Sequence, residues 1–154
     1  MNFTINLDDF TLKNASFLEP KKNIIMDGSF TKINYLAEWF TMNSIFLNIP
    51  LTIKNIDNNI QFDPYSSKNH FIIQSLSKLE TMLLQLYSDT KQKNFKFNTL
   101  LSKQLYKGNM KINKDEMHTS HKKIYIIKIS GIWQSNNEIG ITYKMFLGDS
   151  ITLL

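Results

Sequence analysis

Between positions 45 and 53 the chain places Ile45, Leu47, Ile49, Leu51 and Ile53 at every second residue. Only a β-strand with one buried face turns all five side chains the same way, so the chain must build a sheet with a covered side and an open side. Pro50 lacks a ladder donor, which places this strand partly at an edge or interrupts it there. The same two-residue period occurs earlier. Phe3, Ile5 and Leu7 alternate with Thr4 and Asn6, and after Pro20 and a turn at Asp27-Gly28 a second run spans Ser29–Ala37, with Ile33 and Tyr35 alternating against Lys32 and Asn34. A short fourth run, Asn59–Phe62, stops at Asp63-Pro64.

The period then changes. Ile72, Leu76, Leu79, Leu83 and Leu86 recur at spacings of four and three, which predicts one helix over Ser67–Asp89 with Ser66, Ser67 or Asn69 at its start. Its apolar stripe is expected to close the domain's own sheet rather than dock a partner helix. A shorter helix is predicted over Phe95–Lys107, carrying Leu100, Leu101 and Leu105 and stopped by Gly108. Strand character returns in Lys122–Trp133, a turn at Ser135-Asn136-Asn137, and a returning arm with Ile139, Ile141, Tyr143 and Met145 alternating. The polar stretch Asn113–His121 reads as a loop.

Strands, then helices, then a hairpin give an α+β chain rather than an alternating α/β one. The order predicts a five-stranded OB-like barrel, or a strongly curved antiparallel sheet, with a helical insertion between strands three and four. With 154 residues, 42% of them apolar, one domain spanning 1–154 is expected, its OB-like core at about 29–147.

Composition narrows the chemistry. The absence of cysteine excludes disulfides, thiolate zinc sites and thiol nucleophiles. All 18 basic residues are lysine and valine is missing, a usage that points to A/T-rich coding DNA and lowers the meaning of any single Lys or Asn. The formal charge of +5 and a pI near 9.3 favour anionic partners. Neither a basic-plus-apolar leader nor an apolar run of about 18 residues is read, so an intracellular protein without membrane partners is expected.

Little points to catalysis. Of the three histidines, His118 and His121 stand three apart with Asp115 and Glu116 upstream. A polar loop explains them better than a zinc site, which needs three or four ligands in defined geometry. No phosphate-cradling glycine motif occurs, and the adjacent carboxylates Asp8-Asp9 and Asp115-Glu116 suit solvated turns. No enzyme, no cofactor and no metal are therefore expected.

Binding residues are read from the strand faces. Opposite the Ile/Leu row, Phe46 shares a face with Asn48, Thr52 and Lys54; Lys128 shares one with Ser130, and Lys144 with Thr142 and Phe146. Rings among amines are the equipment of single-strand binders, in which bases stack on aromatic platforms and lysines follow the phosphates. Lys32, Tyr35, Phe46, Asn48, Lys54, Lys128, Lys144 and Phe146 form the expected nucleic-acid surface, with Phe46, Phe146 and Tyr35 as platforms. The competing reading covers Phe46 and Phe146 beneath a loop or the helices. Tyr125 and Trp133, on the other parity, are assigned to the core.

The hairpin Lys128-Ile129-Ser130-Gly131-Ile132-Trp133 with Glu138-Ile139-Gly140-Ile141-Thr142-Tyr143-Lys144, together with Thr31–Tyr35 and Asn43–Phe46, resembles single-stranded-DNA-binding proteins of the OB-fold type from large double-stranded DNA viruses and insect viruses. The likeness covers residues 29–147 by pattern. It implies non-sequence-specific binding of single-stranded DNA, or RNA, in viral replication or recombination, located in the host cytoplasm or nucleus. The chain lacks the arginines common in such binders, and it ends in Asp149–Leu154 rather than in an acidic tail. The alternative is a protein-interaction or virion structural module, for which a homo-oligomer is the natural form.

Overall fold

The computed structural model describes residues 4–22, 27–113 and 123–149. Short strands β1 (Ile5–Asn6), β2 (Ala15–Phe17) and β3 (Lys21–Lys22) precede β4 (Ser29–Leu36), β5 (Thr41–Met42), β6 (Ile45–Ile49), β7 (Asn55–Ile56) and β8 (Asn59–Gln61). Helix α1 (Ser67–Lys91), β9 (Lys96–Phe97), α2 (Leu100–Lys107) and β10 (Asn109–Lys111) lead to the long arms β11 (Lys123–Ser135) and β12 (Glu138–Asp149). The α+β reading holds. His118, His121 and all of the expected loop beyond Asn113 lie outside the described residues.

Two sheets form, one of nine strands and one of three, the latter ordered β10-β8-β7. The expected barrel is corrected. The large sheet runs β1-β6-β11-β12-β9, and among the described residues no pairing joins its two ends. Its pairing is also mixed rather than antiparallel, because β1 and β9 enter parallel to β6 and β12. The cause lies in β11, which meets β12 along one edge but on the other meets β6 through Tyr125–Ile129 and then β4 through Gly131–Gln134. One edge thus serves two strands in tandem, and β4 carries the further strands β2, β3 and β5 as a branch off the main path.

The register of β11 on β12 shifts by one residue between Ile129 and Gly131, leaving Ser130 as a bulge. A bulge reverses which parity faces inward. Ile127 and Ile129 are buried before it, and Ile132 after it. Trp133 therefore leaves the core side, contrary to expectation, while Tyr125 stays half-buried against the core.

The inner face collects Ile33, Ile45, Leu47, Ile49, Ile127, Ile129, Ile139 and Ile141 against Ile73, Leu76, Leu83 and Leu84 of α1. Tyr87 of α1 donates to Gln134 Oε1 at 3.0 Å, which ties the helix to the turn end of the hairpin. Of the expected stripe Ile72, Leu76, Leu79 and Leu83 are buried and Leu86 is half-buried, while Ile73, Leu84 and Tyr87 are also buried and widen it to the arc a sheet-covering helix needs.

Two polar side chains fix the helices. Asn69 behaves as a strand partner: its Oδ1 accepts from Thr52 N at 2.8 Å, and its Nδ2 donates to Thr52 O at 2.9 Å and Asp63 O at 3.0 Å. It holds in place the segment after Ile49, where the strand stops at Pro50 instead of reaching Ile53. Glu80, fully buried in α1, accepts from Leu101 N at 3.0 Å, Ser102 N at 2.9 Å and Ser102 Oγ at 2.5 Å. Thr99, at the start of α2, makes no side-chain cap, so the Glu80 carboxylate satisfies the exposed amides and meets the positive end of the helix. The second helix starts later than expected because Lys96 N–H donates to Asn137 O and Asn98 N–H to Ile139 O, holding that stretch extended as β9.

Glu80→Gln would present an NH2 group to backbone donors and is expected to cost about 2–4 kcal/mol, read as a lower urea midpoint at unchanged slope. Burial, followed by the Glu80 charge, pushes the Tyr143 hydroxyl up to about 12. A phenol ionising later in the folded chain than in the unfolded one stabilises the fold below its ordinary value near 10, and that contribution disappears as pH rises toward 12. Tyr143→Phe is expected to flatten the alkaline loss of stability between those values and to remove the last step of a phenolate absorbance titration.

Candidate nucleic-acid interface

Opposed residues in a ladder share a face, so the outer surface can be built row by row from the register. Lys128 lies between Phe46 on β6 and Lys144 on β12. The next row, two residues along, sets Ile126 between Asn48 and Phe146, with Asn6 of β1 beside Asn48. Five of the eight expected residues thus form one contiguous patch: Phe46, Asn48, Lys128, Lys144 and Phe146. Their rings are half-buried and Lys144 is exposed. The Lys128 ammonium rests 5.6 Å from the Phe46 ring centroid, a cation–π distance. Asn48 Nδ2 reaches Asn6 Oδ1 at 3.5 Å, the outer limit of a hydrogen bond.

Lys32 stays on this face beyond the bulge, opposite Gly131. Two expected residues are corrected. Tyr35 is only 2% exposed, lies on the inner face between Phe10 and Phe40, and accepts hydrogen bonds at its hydroxyl from Thr11 N and Asn14 Nδ2. Its parity on β4 is that of Ile33, and a packed ring offers no face to a base. Lys54 is exposed but has left the sheet, because the chain departs from β6 after Ile49 and the Lys54 N–H donates to Gln61 O at the foot of the small sheet.

Beyond the bulge the same face carries Phe30 and Trp133, which stand opposite each other on β4 and β11, with Lys21 of β3 beside Phe30. Both rings were missed by the sequence reading. Each lies across a glycine of the neighbouring strand. A Cβ on Gly140 would meet three atoms of the Trp133 indole at 2.5–2.7 Å, and a Cβ on Gly131 would meet the Phe30 ring at 2.7 and 2.9 Å. Gly148 makes the same room for Ile126, at 2.5 Å. Glycine is thus used where a neighbouring group lies against the backbone, and at Gly131 that includes the Thr31 carbonyl oxygen, which is nearer still to where a Cβ would stand. The spacing Ile127, Ile129, Ile132 carried the signal, since broken alternation marks a bulge.

Charge on this face is one-sided. Among the described side chains of these rows the sole carboxylate is Glu138, at the turn end, where it accepts from Asn98 Nδ2 at 2.7 Å. The groups that tie α1 and α2 to the hairpin, Gln134 and Tyr143, alternate with this face, so the described helical contacts fall on the opposite side. Chemically, the arrangement can receive a flexible polyanion with apolar flat groups. The described residues contain no group of three His, Asp or Glu side chains able to hold a metal ion, and none of their helices is long and apolar enough to cross a membrane.

Gly140→Val is expected to lift the Trp133 indole from the sheet and destabilise the fold by about 1–3 kcal/mol. In a Trp39→Phe background, where Trp133 is the remaining tryptophan, its emission is expected to shift to the red; an unchanged spectrum would mean that the ring does not lie on Gly140.

No protein-family model, no curated protein and no solved structure matches the chain, so the site's chemistry rests on these residues and their geometry.

Proposed function

We propose that the outer sheet face binds single-stranded DNA without reading its sequence. The observation that carries this reading is the row Phe46, Lys128, Lys144, backed by Phe146 and Asn48, on the side of the sheet that faces away from α1 and α2. Bases stack on the rings while the lysines approach phosphates. Lys128 already covers the Phe46 ring, and magnitudes favour the exchange: the cation–π contact is worth about 0.5–1 kcal/mol at an exposed site. A stacked base is worth about 1–3 kcal/mol, and the displaced ammonium finds a phosphate. The same reading would give the protein the setting expected from its sequence, the coating of exposed strands in replication or recombination. A closed barrel is not required, because a platform needs one open sheet face only.

A protein-interaction module is the second reading, favoured by Trp39, 89% exposed, and Leu36, 49% exposed, at the turn joining β4 to β5. Sedimentation separates the two: a stable oligomer that Trp39→Ala dissolves, with no DNA binding, selects the second.

Labelled oligodeoxythymidine in about 50 mM salt is the direct test. Phe46→Ala with Phe146→Ala is expected to weaken binding by about tenfold or more. Lys128→Ala with Lys144→Ala is expected to reduce the slope of log affinity against log salt by about 1.4, two phosphate contacts at ~0.7 each. Folded wild-type protein that ignores the oligonucleotide at this salt would end the proposal.

A further inference from the structure

We infer that the strand site does not end at the Ser130 bulge but continues to a second ring station, Phe30 with Trp133, flanked by Lys21 and Lys32, so that its ligand is an extended single strand lying along β11. The inference rests on the strand-binding reading above and states what that reading leaves open, the class and length of the ligand.

Three observations combine. The register places Lys21, Phe30 and Trp133 in one row and Lys32 with Gly131 in the adjoining row, on the face that carries Phe46 and Lys128. Ser130 is what brings Trp133 to this face, since without the extra residue the indole would point into the core. Gly131 and Gly140 let both rings lie against the backbone, and both stay half-buried rather than sealed in the core, as a stacking platform requires.

Geometry then selects the ligand. From the Ile126–Phe146 row to the Trp133–Phe30 row β11 advances about 20 Å at ~3.3 Å per residue. A strand stacked at ~3.4 Å per nucleotide covers that with about six nucleotides, and a splayed one with fewer. A mononucleotide reaches one station only. A duplex reaches neither, because its base faces are covered by their neighbours and only its phosphates meet the lysines.

The test uses the full chain carrying Trp39→Phe, which removes the exposed tryptophan of the β4–β5 turn and leaves Trp133 as reporter. Titration with labelled oligodeoxythymidine of about fifteen nucleotides is followed by anisotropy and by tryptophan emission together. Saturable quenching of Trp133 that tracks anisotropy is expected. Trp133→Ala is expected to lose about tenfold in affinity for the long oligonucleotide, the worth of one stacked base, and much less for one of about three nucleotides. Lys21→Glu, an exposed change that leaves the rings in place, is expected to show the same dependence on length. If anisotropy reports binding while Trp133 emission stays flat and both variants bind long and short oligonucleotides as the parent does, the second station is wrong and strand binding survives. If the folded parent binds no oligonucleotide at about 50 mM salt, strand binding itself is wrong and the second station falls with it.

Discussion

One strand must satisfy three others. β11 is paired with β12 along its whole length on one edge and divided between β6 and β4 on the other, and the division falls where Ser130 interrupts the register. A thirteen-residue strand with a two-residue turn and a long partner is a strong local structure. Everything else is placed relative to it: β6 brings Phe46 beside Lys128, and β4 brings Phe30 beside Trp133. The bulge therefore has two structural effects. It lets two strands share one edge, and it exchanges an inward tryptophan for an outward one.

The covered side of the sheet is held by apolar area, but its helices are positioned by buried polar groups whose bonding is largely complete. Asn69 uses both ends of its amide on backbone, and Glu80 uses both oxygens on the start of α2. Such groups add modestly to stability when paired and are costly when left alone, so they select one packing among the many that the Leu and Ile side chains would tolerate. The open side follows a different rule. Phe30 and Trp133 sit over glycines and Phe46 lies under the Lys128 ammonium, so these rings are neither sealed in the core nor free in solvent.

Much of this was legible in the residues. The Ile45–Ile49 part of the alternation marked the buried face of β6, the four-and-three spacing from Ile72 marked α1, and parity put Phe46 opposite the Ile/Leu row, while its pairing with Lys128 needed the register. What escaped has a physical pattern. Tyr35 was placed among the platforms although its alternation with Ile33 against Lys32 already put it on the other face, where Phe10 and Phe40 pack beside it. Lys54 was carried along a strand that Pro50 had already ended. Strands β2, β3, β5 and β9 are two or three residues long and owe their conformation to a neighbour's ladder, so they leave no periodic trace. The barrel was inferred from element order, yet order does not reveal that one edge serves two partners.

The Glu80 carboxylate has a kinetic meaning as well. An eight-residue helix is too short to persist alone in water, and α2 begins with no cap of its own. Its first turn is completed by a side chain of α1, so it depends on that helix being in place. The second helix can therefore neither nucleate folding nor survive as a fragment. It belongs to the same cooperative unit as the first.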